Sequence, residues 1–343
     1  MAAASAPSVT PERIQQLAWG YVPPLAIEAA IRNRIFDVLD DGPKSIEEMQ
    51  TATGASRRGL SSLMDALAGL GLLQKDAGGV YGLTPESELF LVRSKPSFMG
   101  GLILHTSTQL LPRWLHLTEV VRTGVPVSPV NQEATGGEFF HEFVSDIFPM
   151  SYPSAQVLAQ TLNLSHASEP ISVLDLAAGS GVWGIALAQS SERVHVTAVD
   201  WPEVLPVTRK TAERFGLSER FTFVAGDLLG ADFGRNHTAA TLGHILHSEG
   251  EERSKRLLER VFEALAPGGT IGIAEFLVDA SRSGPMIGLF FAVNMLVNTD
   301  LGGTYSFEEI SSWLEAVGFV NPRTVAAPGP SPLILADKPH LGS

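Results

Sequence analysis

The chain contains no cysteine. This absence excludes a disulfide framework, a Cys-ligated zinc or iron–sulfur site and a cysteine nucleophile. Charged residues are also few, at 18%, whereas hydrophobic residues make up 44% and the mean hydropathy is +0.14. This composition is too apolar for a disordered chain and predicts a folded core. With 343 residues, the chain is long enough for about two domains.

Positive charge is scarce as well. Lys plus Arg total 24 against 37 Asp plus Glu, a net charge of -13, which disfavours a general binder of nucleic-acid backbones. The longest apolar run, from Met286 to Val297, is about half of the ~20 residues that span a bilayer. The first residues, MAAASAPSV, show neither the basic nor the apolar region of a signal peptide. We therefore expect a cytoplasmic protein without a membrane partner.

The first hundred residues show the element order of a winged helix. Ser45 and Glu48 form a capping box for one short helix, and Ser56 caps a second. Residues 72–74 and 80–83 then have the pattern of two strands joined by a turn. We interpret residues 11–97 as a mostly α-helical winged-helix domain.

This predicted domain fits a dimer interface better than a DNA-binding unit. Base contacts in winged helices come from the start of the second helix, where this chain offers only Arg57 and Arg58. Apolar residues between Pro11 and Leu39 cover more than one helical stripe. We therefore expect a homodimer formed through residues 11–97, and no nucleic-acid partner.

Residues 98–165 are rich in aromatic residues and have a helical pattern. We interpret them as a helical linker that also contributes to a substrate pocket. Phe139, Phe140, Phe143 and Phe148 fit either a packed core or the roof of that pocket, and helical spacing alone does not separate the two.

From residue 166 to residue 338, strand patterns alternate with amphipathic helices. The strands are ISVLDLA, VHVTAVD, FTFVAGD, TAATLGHIL, GTIGIAEFLV and SPLILADK, and one helix is expected to end at Pro267-Gly268-Gly269. Such alternation predicts an α/β fold with an open, mostly parallel sheet and helices on both faces. A ligand is then expected beyond the carboxyl ends of the strands.

The first predicted strand runs into Asp175-Leu-Ala-Ala-Gly179-Ser-Gly181, and a helix opens at Val182. The two glycines permit a tight turn, and the helix start favours an anionic group. The next strand ends at Asp200, whose carboxylate suits two ribose hydroxyls. The pattern indicates a nucleotide or nucleoside site.

Two further features support this site. Trp201 offers an aromatic plane for an adenine, and the third strand ends in Gly226-Asp227-Leu228, which brings a second carboxylate for the adenine amino group. Each motif is weak alone, but the ordered set is fairly specific.

The set, followed by HILHSEGEERSKRLLERVFEALAPGGTIGIAEF, resembles the S-adenosylmethionine-dependent O-methyltransferases of the dimeric caffeate/acetylserotonin type, over about residues 15–338. The resemblance implies a Rossmann-like methyltransferase domain behind a winged-helix dimerisation domain, with S-adenosylmethionine as cofactor and no metal ion. The cofactor-binding residues that it implies are Asp175, Gly179, Gly181, Asp200, Trp201, Asp227, Leu228 and His244.

The resemblance also implies the catalytic residues. A histidine after the fourth strand acts as general base in this family, and His247 matches it, while Glu275 matches the acid that orients the base. A phenol with a pKa near ~10 is mostly protonated at pH 7, and a neutral histidine raises its nucleophilicity by taking the proton. The expected pocket for a small, flat aromatic substrate includes Trp114, Phe290, Phe291, Asn294 and Met295.

The chain departs from the family pattern at three places. Ala177-Ala178 stands in the glycine-rich turn, Ser248-Glu249 replaces the acid and aromatic residue after the base, and Thr304 or Tyr305 stands where a second supporting acid is usual. Transfer of a methyl group to a hydroxyl is the leading hypothesis. The alternatives are a C-methyltransferase or non-methylating relative that uses S-adenosylmethionine as a scaffold, and a winged-helix ligand-sensing regulator.

Overall fold

The computed structural model describes residues 9–166 and 169–340. Its residue contacts divide the chain into two units, Met1–Leu110 and Leu111–Ser343. The division falls inside the segment that the sequence assigned to a linker, so residues 98–110 group with the first unit. The domain limits inferred from the sequence stay a prediction.

The first unit is mostly helical and carries one small antiparallel hairpin. Its helices are α1 (Glu12–Ala18), α2 (Val22–Arg32), α3 (Ile35–Leu39), α4 (Ile46–Thr53), α5 (Arg57–Gly69), α6 (Pro85–Phe90) and α7 (Gly100–His105), which continues as a π-helical turn over Thr106–Leu110. The hairpin strands are β1 (Leu73–Lys75) and β2 (Tyr81–Leu83).

The predicted caps set the ends of two of these helices. The Ser45 hydroxyl accepts a hydrogen bond from the Glu48 N–H, and the Glu48 carboxylate accepts one from the Ser45 N–H at 2.7 Å, which completes the capping box of α4. Ser56 Oγ accepts from the Gly59 N–H at 3.1 Å and begins α5. The helix, helix and hairpin of the predicted winged helix are therefore present.

The second unit contains the large sheet. Its helices are α8 (Leu111–Trp114), α9 (Leu117–Thr123), α10 (Glu133–Phe143), α11 (Phe148–Leu162), α12 (Val182–Ser190), α13 (Leu205–Arg214), α14 (Leu246–Glu249), α15 (Glu251–Ala264), α16 (Met286–Asn298) and α17 (Phe307–Val317). Its strands are β3 (Ile171–Leu176), β4 (Val194–Asp200), β5 (Phe221–Ala225), β6 (His237–Gly243), β7 (Leu265–Ala274), β8 (Val320–Val325) and β9 (Leu333–Asp337).

Within the described residues, the seven strands are ordered β5-β4-β3-β6-β7-β9-β8. The strands from β5 to β7 are parallel to their neighbours, whereas β9 runs antiparallel to both β7 and β8. The chain leaves β3 toward one edge through β4 and β5, and then returns to β6 on the other side. The strand order therefore reverses between β3 and β6, which is where open α/β sheets bind ligands.

Both faces of the sheet are covered, as a buried parallel sheet requires. In β3, Ile171 and Val173 pack into one hydrophobic cluster, while Leu174 and Leu176 pack into another on the opposite face. The mostly parallel α/β fold predicted from the sequence is confirmed.

Two details of the predicted elements were wrong. Pro267-Gly268-Gly269 does not end a helix, because α15 stops at Ala264 and β7 already begins at Leu265. The strand β8 was not predicted, because its sequence VNPRTV is mostly exposed and carries no apolar alternation. It lies at the edge of the sheet, where a strand can tolerate proline.

Gly184 in α12 gives a test of how closely this helix packs on the sheet. A Cβ at this position would lie 2.8 Å from Asp175 Oδ2 and 2.8 Å from Val196 Cγ1. We expect Gly184→Ala to lower the free energy of unfolding by about 1–3 kcal/mol, because the helix must shift. Gly69→Ala is the control, since no atom lies within 4 Å of its Cβ; equal urea midpoints for the two variants would contradict the packing argument.

Candidate active site

The turn after β3 has the shape that its glycines predict. Gly179 and Gly181 have φ angles of 55° and 76°, and Ala177 also lies in the left-handed region at 50°. The Thr208 hydroxyl donates to the Gly179 carbonyl at 2.7 Å, and a Cβ on Gly181 would meet Thr208 Cγ2 at 2.9 Å. The turn therefore leads directly into α12, and neighbouring atoms leave little room for a side chain at Gly181.

Asp200, at the end of β4, is tied to this turn. Its Oδ2 accepts a hydrogen bond from the Gly179 N–H, and its Oδ1 accepts one from the Trp201 N–H, both at 2.7 Å. Burial raises the pKa of Asp200 to about 6 despite these two bonds. Each carboxylate oxygen retains a lone pair for a further donor, so the acid both shapes the turn and can accept from a ligand.

Trp201 packs against α10. Its ring lies 6.0 Å from that of Phe140, and a Cβ on Gly136 would meet the indole at 2.6 Å. This contact leaves α10 beside the end of β4, near the expected cofactor position. Whether the indole faces an adenine stays a prediction.

Asp175 lies beneath the turn and is fully buried. Its Oδ1 accepts from the Thr241 hydroxyl at 2.6 Å and its Oδ2 from the Gly184 N–H at 2.9 Å. Burial raises the pKa of Asp175 to about 7. Both oxygens face protein groups, so this geometry gives Asp175 a supporting position, and its direct contact with a cofactor stays a prediction.

Asp227 follows β5 and has a partner that sequence reasoning missed. Its Oδ2 accepts from Arg253 Nη2 at 2.8 Å, and Arg253 Nε donates to the buried Glu249 at 2.7 Å. Burial raises the pKa of Glu249, while the guanidinium acts in the opposite direction. Arg253 thus bridges two carboxylates, and Leu228 next to Asp227 packs into the core.

His247 and Glu275 form a buried pair. Glu275 Oε2 lies 2.8 Å from His247 Nδ1, and the carboxylate also accepts from the backbone N–H of His247 and of Phe276, each at 3.3 Å. Burial alone would raise the pKa of Glu275, but His247, through its ring and its backbone N–H, lowers it below its ordinary value. Since an ionised carboxylate only accepts, Nδ1 carries a proton, and in the neutral ring Nε2 then holds a lone pair.

Aromatic rings line the other sides of this histidine. The ring of Phe291 from α16 meets His247 edge-on at 4.8 Å and stacks on Phe276 at 4.0 Å. His244 lies 5.2 Å from Phe276, and its Nε2 is 2.9 Å from the Ser331 hydroxyl. Burial lowers the pKa of His244 to about 4, so this ring stays neutral beside the pair.

The remaining predicted pocket residues lie on α8 and α16. Trp114 Nε1 donates to Asn294 Oδ1 at 3.0 Å, and Met295, the following residue on α16, is buried. Phe290 is 58% exposed, and the structure does not bring it into the ring cluster around His247. Asn298 and Arg113, which join the same network, were not identified from the sequence.

Two features are absent from the described residues. No group of three or more His, Cys, Asp or Glu side chains is arranged to hold a metal ion. In the same residues, no helix combines the length and the apolar character needed to cross a bilayer.

Two family models together match most of the chain. A model described as the O-methyltransferase domain matches residues 114–320, and one described as the O-methyltransferase dimerisation domain matches residues 15–93. The chain belongs to the O-methyltransferase family. It is therefore a methyltransferase enzyme, and the family resemblance inferred from the motifs is confirmed.

Relatives of this O-methyltransferase cover nearly all of it. The tetracenomycin polyketide synthesis 8-O-methyl transferase TcmO of Streptomyces glaucescens is 29% identical over 96% of this chain and 97% of its own. The 3-hydroxy-5-methyl-1-naphthoate 3-O-methyltransferase of Streptomyces sahachiroi is 30% identical over 96% and 95%. The crystal structure of human N-acetylserotonin methyltransferase with SAM has the same fold, with a TM-score of 0.82, 23% identity and coverage of 98% and 99%.

The turn of this O-methyltransferase gives a testable contrast between two neighbouring alanines. Ala177 has a left-handed φ of 50°, whereas Ala178 is buried and lies outside that region. We expect Ala177→Gly to be more stable than Ala178→Gly by about 1–2 kcal/mol, because only the first substitution relieves backbone strain. Urea unfolding measures the difference, and equal stabilities would argue against strain at Ala177.

Proposed function

We propose that this enzyme transfers a methyl group from S-adenosylmethionine to a hydroxyl of a small aromatic molecule, with His247 as general base. The observation that carries the proposal is the buried His247–Glu275 pair, which leaves the Nε2 lone pair of the histidine available. S-adenosylmethionine is the methyl donor of the enzyme. In the described residues, no protein group binds to Nε2.

Bound S-adenosylmethionine would supply an electrophilic methyl group on sulfur for attack by the substrate oxygen, with S-adenosylhomocysteine as the leaving group, and the chain supplies position and proton transfer. His247 Nε2 takes the hydroxyl proton, and the Glu275 carboxylate stabilises the protonated ring through Nδ1. His244 stays neutral beside this ring and therefore adds no positive charge that would oppose the step.

The residues at the strand ends fit the cofactor. Gly179 and Gly181 shape the start of α12, and Asp200 retains lone pairs that suit ribose hydroxyls. We propose Asp227 for the adenine amino group, with its carboxylate held in place by Arg253. Trp201, Leu228 and His244 belong to the same proposed site, with Asp175 supporting it from below.

The substrate proposal rests on the rings around His247 and on the relatives. Phe276 and Phe291 present stacked aromatic surfaces beside the base, and Trp114, Asn294 and Met295 extend this region along α8 and α16. Of two relatives of similar length, one is named for tetracenomycin polyketide synthesis and the other for a hydroxynaphthoate. A flat hydroxyaromatic molecule fits these surfaces.

We also propose that the enzyme is a cytoplasmic homodimer without a nucleic-acid partner. The first unit matches the family's dimerisation domain. Around α1 it exposes four large apolar side chains, which is a typical feature of an association surface. These side chains are Ile14, Leu17, Trp19 and Tyr21.

Substitution of the proposed base tests the mechanism. We expect His247→Ala to lower kcat by about 10²- to 10⁴-fold, because proton removal is lost. Glu275→Gln should lower it by about tenfold or more, since a neutral amide does not stabilise the protonated ring. Product formation is measured with a panel of hydroxyaromatic compounds, and the affinity for S-adenosylhomocysteine is measured in parallel.

The control for this experiment is His195→Ala, which removes an exposed histidine on β4. It should leave kcat unchanged. Unchanged turnover in His247→Ala would reject the general-base proposal and favour C-methylation or another reaction that uses the cofactor as a scaffold.

The raised pKa of Asp200, about 6, predicts a pH dependence of cofactor binding. Above this pKa the carboxylate is ionised and accepts from the ribose; below it the proton removes an acceptor and the charge. We expect the affinity for S-adenosylhomocysteine to fall by up to about tenfold per unit as pH decreases below about 6. For Asp200→Asn, calorimetric titrations should give an affinity for S-adenosylhomocysteine that does not change with pH below about 6. An equally steep pH dependence in this variant would show that another group titrates.

A further inference from the structure

The loop between β7 and α16 holds one arginine in a strained backbone conformation. Arg282 has a φ of 57°, in the left-handed region that is unfavourable for a residue with a Cβ. Asp279 fixes the loop around it: its Oδ1 accepts from the Ser283 N–H at 2.8 Å, and its carbonyl accepts from the Arg282 N–H at 2.9 Å. A strained residue that its surroundings keep in place is a candidate for a functional role.

The guanidinium of Arg282 joins this loop to the start of α17. Its Nη2 donates to both carboxylate oxygens of Glu309, at 2.9 and 3.0 Å, and its Nη1 donates to the Thr304 carbonyl. Glu309 is itself fixed, because its Oε2 accepts from the Ser306 N–H at 2.7 Å in the capping box of α17. Arg282 therefore holds the backbone at Thr304 from an anchored carboxylate.

The backbone next to Thr304 contacts the proposed base. The Gly303 N–H donates to the His247 carbonyl at 2.8 Å, and a Cβ on Gly302 would lie 2.5 Å from the same oxygen. The buried hydroxyl of Thr304 has no hydrogen-bond partner in the part of the chain that the structure describes. This segment therefore supports His247 through its main chain, and Arg282 binds that main chain one residue beyond the contact.

The same loop leads into the helix that packs on the ring of this histidine. α16 begins at Met286, four residues after Arg282, and its Phe291 meets the His247 ring at 4.8 Å. One guanidinium thus connects two segments that contact His247, one at its carbonyl and one beside its ring.

The exposure of the ion pair argues against a mainly stabilising role. The side chains of Arg282 and Glu309 are 46% and 41% exposed, and exposed pairs contribute little to the free energy of folding. The loop nevertheless keeps an unfavourable backbone angle at the residue that makes the pair. A role in positioning accounts for both observations.

We infer that Arg282 is a positioning residue for the reaction, which holds His247 in place through the backbone of residues 302–304 and through the start of α16. Glu309 assists by anchoring the guanidinium. The inference rests on the proposed function, since it takes His247 as the base.

Arg282→Met tests the inference in the free enzyme, because methionine keeps an unbranched side chain but has no donor. The Nδ1 proton of His247 is held by Glu275 at 2.8 Å, so it should exchange slowly with water and give its own signal in a proton–nitrogen NMR spectrum. The signal is assigned by its absence from His247→Ala. In Arg282→Met we expect it to lose about half of its intensity or more, because a ring that leaves the carboxylate exposes its proton. An unchanged signal would overturn the inference.

Arg323→Met is the matched control. Arg323 also binds a carboxylate and a backbone carbonyl, at 2.7 Å to Asp337 and at 3.0 Å to Asn321, and its side chain is 43% exposed. It lies on the edge strand β8. This variant should keep the His247 signal, even where its urea midpoint falls as much as that of Arg282→Met. An equal loss of the signal in both variants would point to a general loosening of the fold and overturn the inference.

Steady-state kinetics give a second readout, with a hydroxyaromatic compound that the unmodified enzyme methylates. We expect Arg282→Met to lower kcat about tenfold, because the base is displaced. The KM of the compound and the affinity for S-adenosylhomocysteine should stay within about threefold, since neither contacts Arg282 in the proposed site. A loss confined to KM would contradict the positioning role.

Arg282→Lys is the conservative variant, and it carries both measurements if Arg282→Met does not fold. An ammonium can reach Glu309 or the Thr304 carbonyl but does not form the same fork to both. The His247 signal and kcat should therefore lie between those of the unmodified enzyme and of Arg282→Met, and values equal to those of the unmodified enzyme would contradict the role of the guanidinium. A signal that depends on Arg282, without methyl transfer to any hydroxyaromatic compound, would support the inference and reject the proposed reaction.

Discussion

The proposed site depends on the hydrogen bonds that the buried carboxylate of Asp175 accepts. It joins β3 to β6 through Thr241 and to α12 through the Gly184 N–H, and these elements surround the point where the strand order reverses. Burial raises its pKa to about 7, so the position has an electrostatic cost that these two hydrogen bonds partly offset. Because these hydrogen bonds hold β3 and α12 together, the turn between them has a fixed shape. Asp200, at the end of β4, can then accept the Gly179 N–H.

The sequence allowed the fold and the centre of the site to be predicted, because those signals are local. Capping residues such as Ser45 and Ser56 act within four residues, and strand-end acids follow their strands directly. The polar networks were missed because their members are far apart in the chain: Arg113 and Asn298 are separated by 185 residues. Arg253 was missed for a similar reason, since its helical periodicity gives no sign that it reaches Asp227.

The departures from the family pattern have different structural outcomes. Ser248 donates its hydroxyl to the Ile245 carbonyl at 3.0 Å, so it closes its own helical turn and leaves the His247–Glu275 pair intact. Glu249 is paired with Arg253, which compensates for a carboxylate in a buried position. At the place of the second supporting acid, the buried hydroxyl of Thr304 has no partner among the described residues. In the part of the chain that the structure describes, Glu275 is therefore the one carboxylate that contacts the histidine.

The polarity of the His247–Glu275 pair gives the proposed site a direction. An acceptor-only carboxylate holds the Nδ1 side of the ring, so the Nε2 edge of the histidine faces the other way. The rings of Phe276 and Phe291 lie beside this histidine. If His247 is the base, a substrate with several hydroxyls would be methylated at the one whose oxygen reaches Nε2, so the same pair that removes the proton would also decide the regiochemistry.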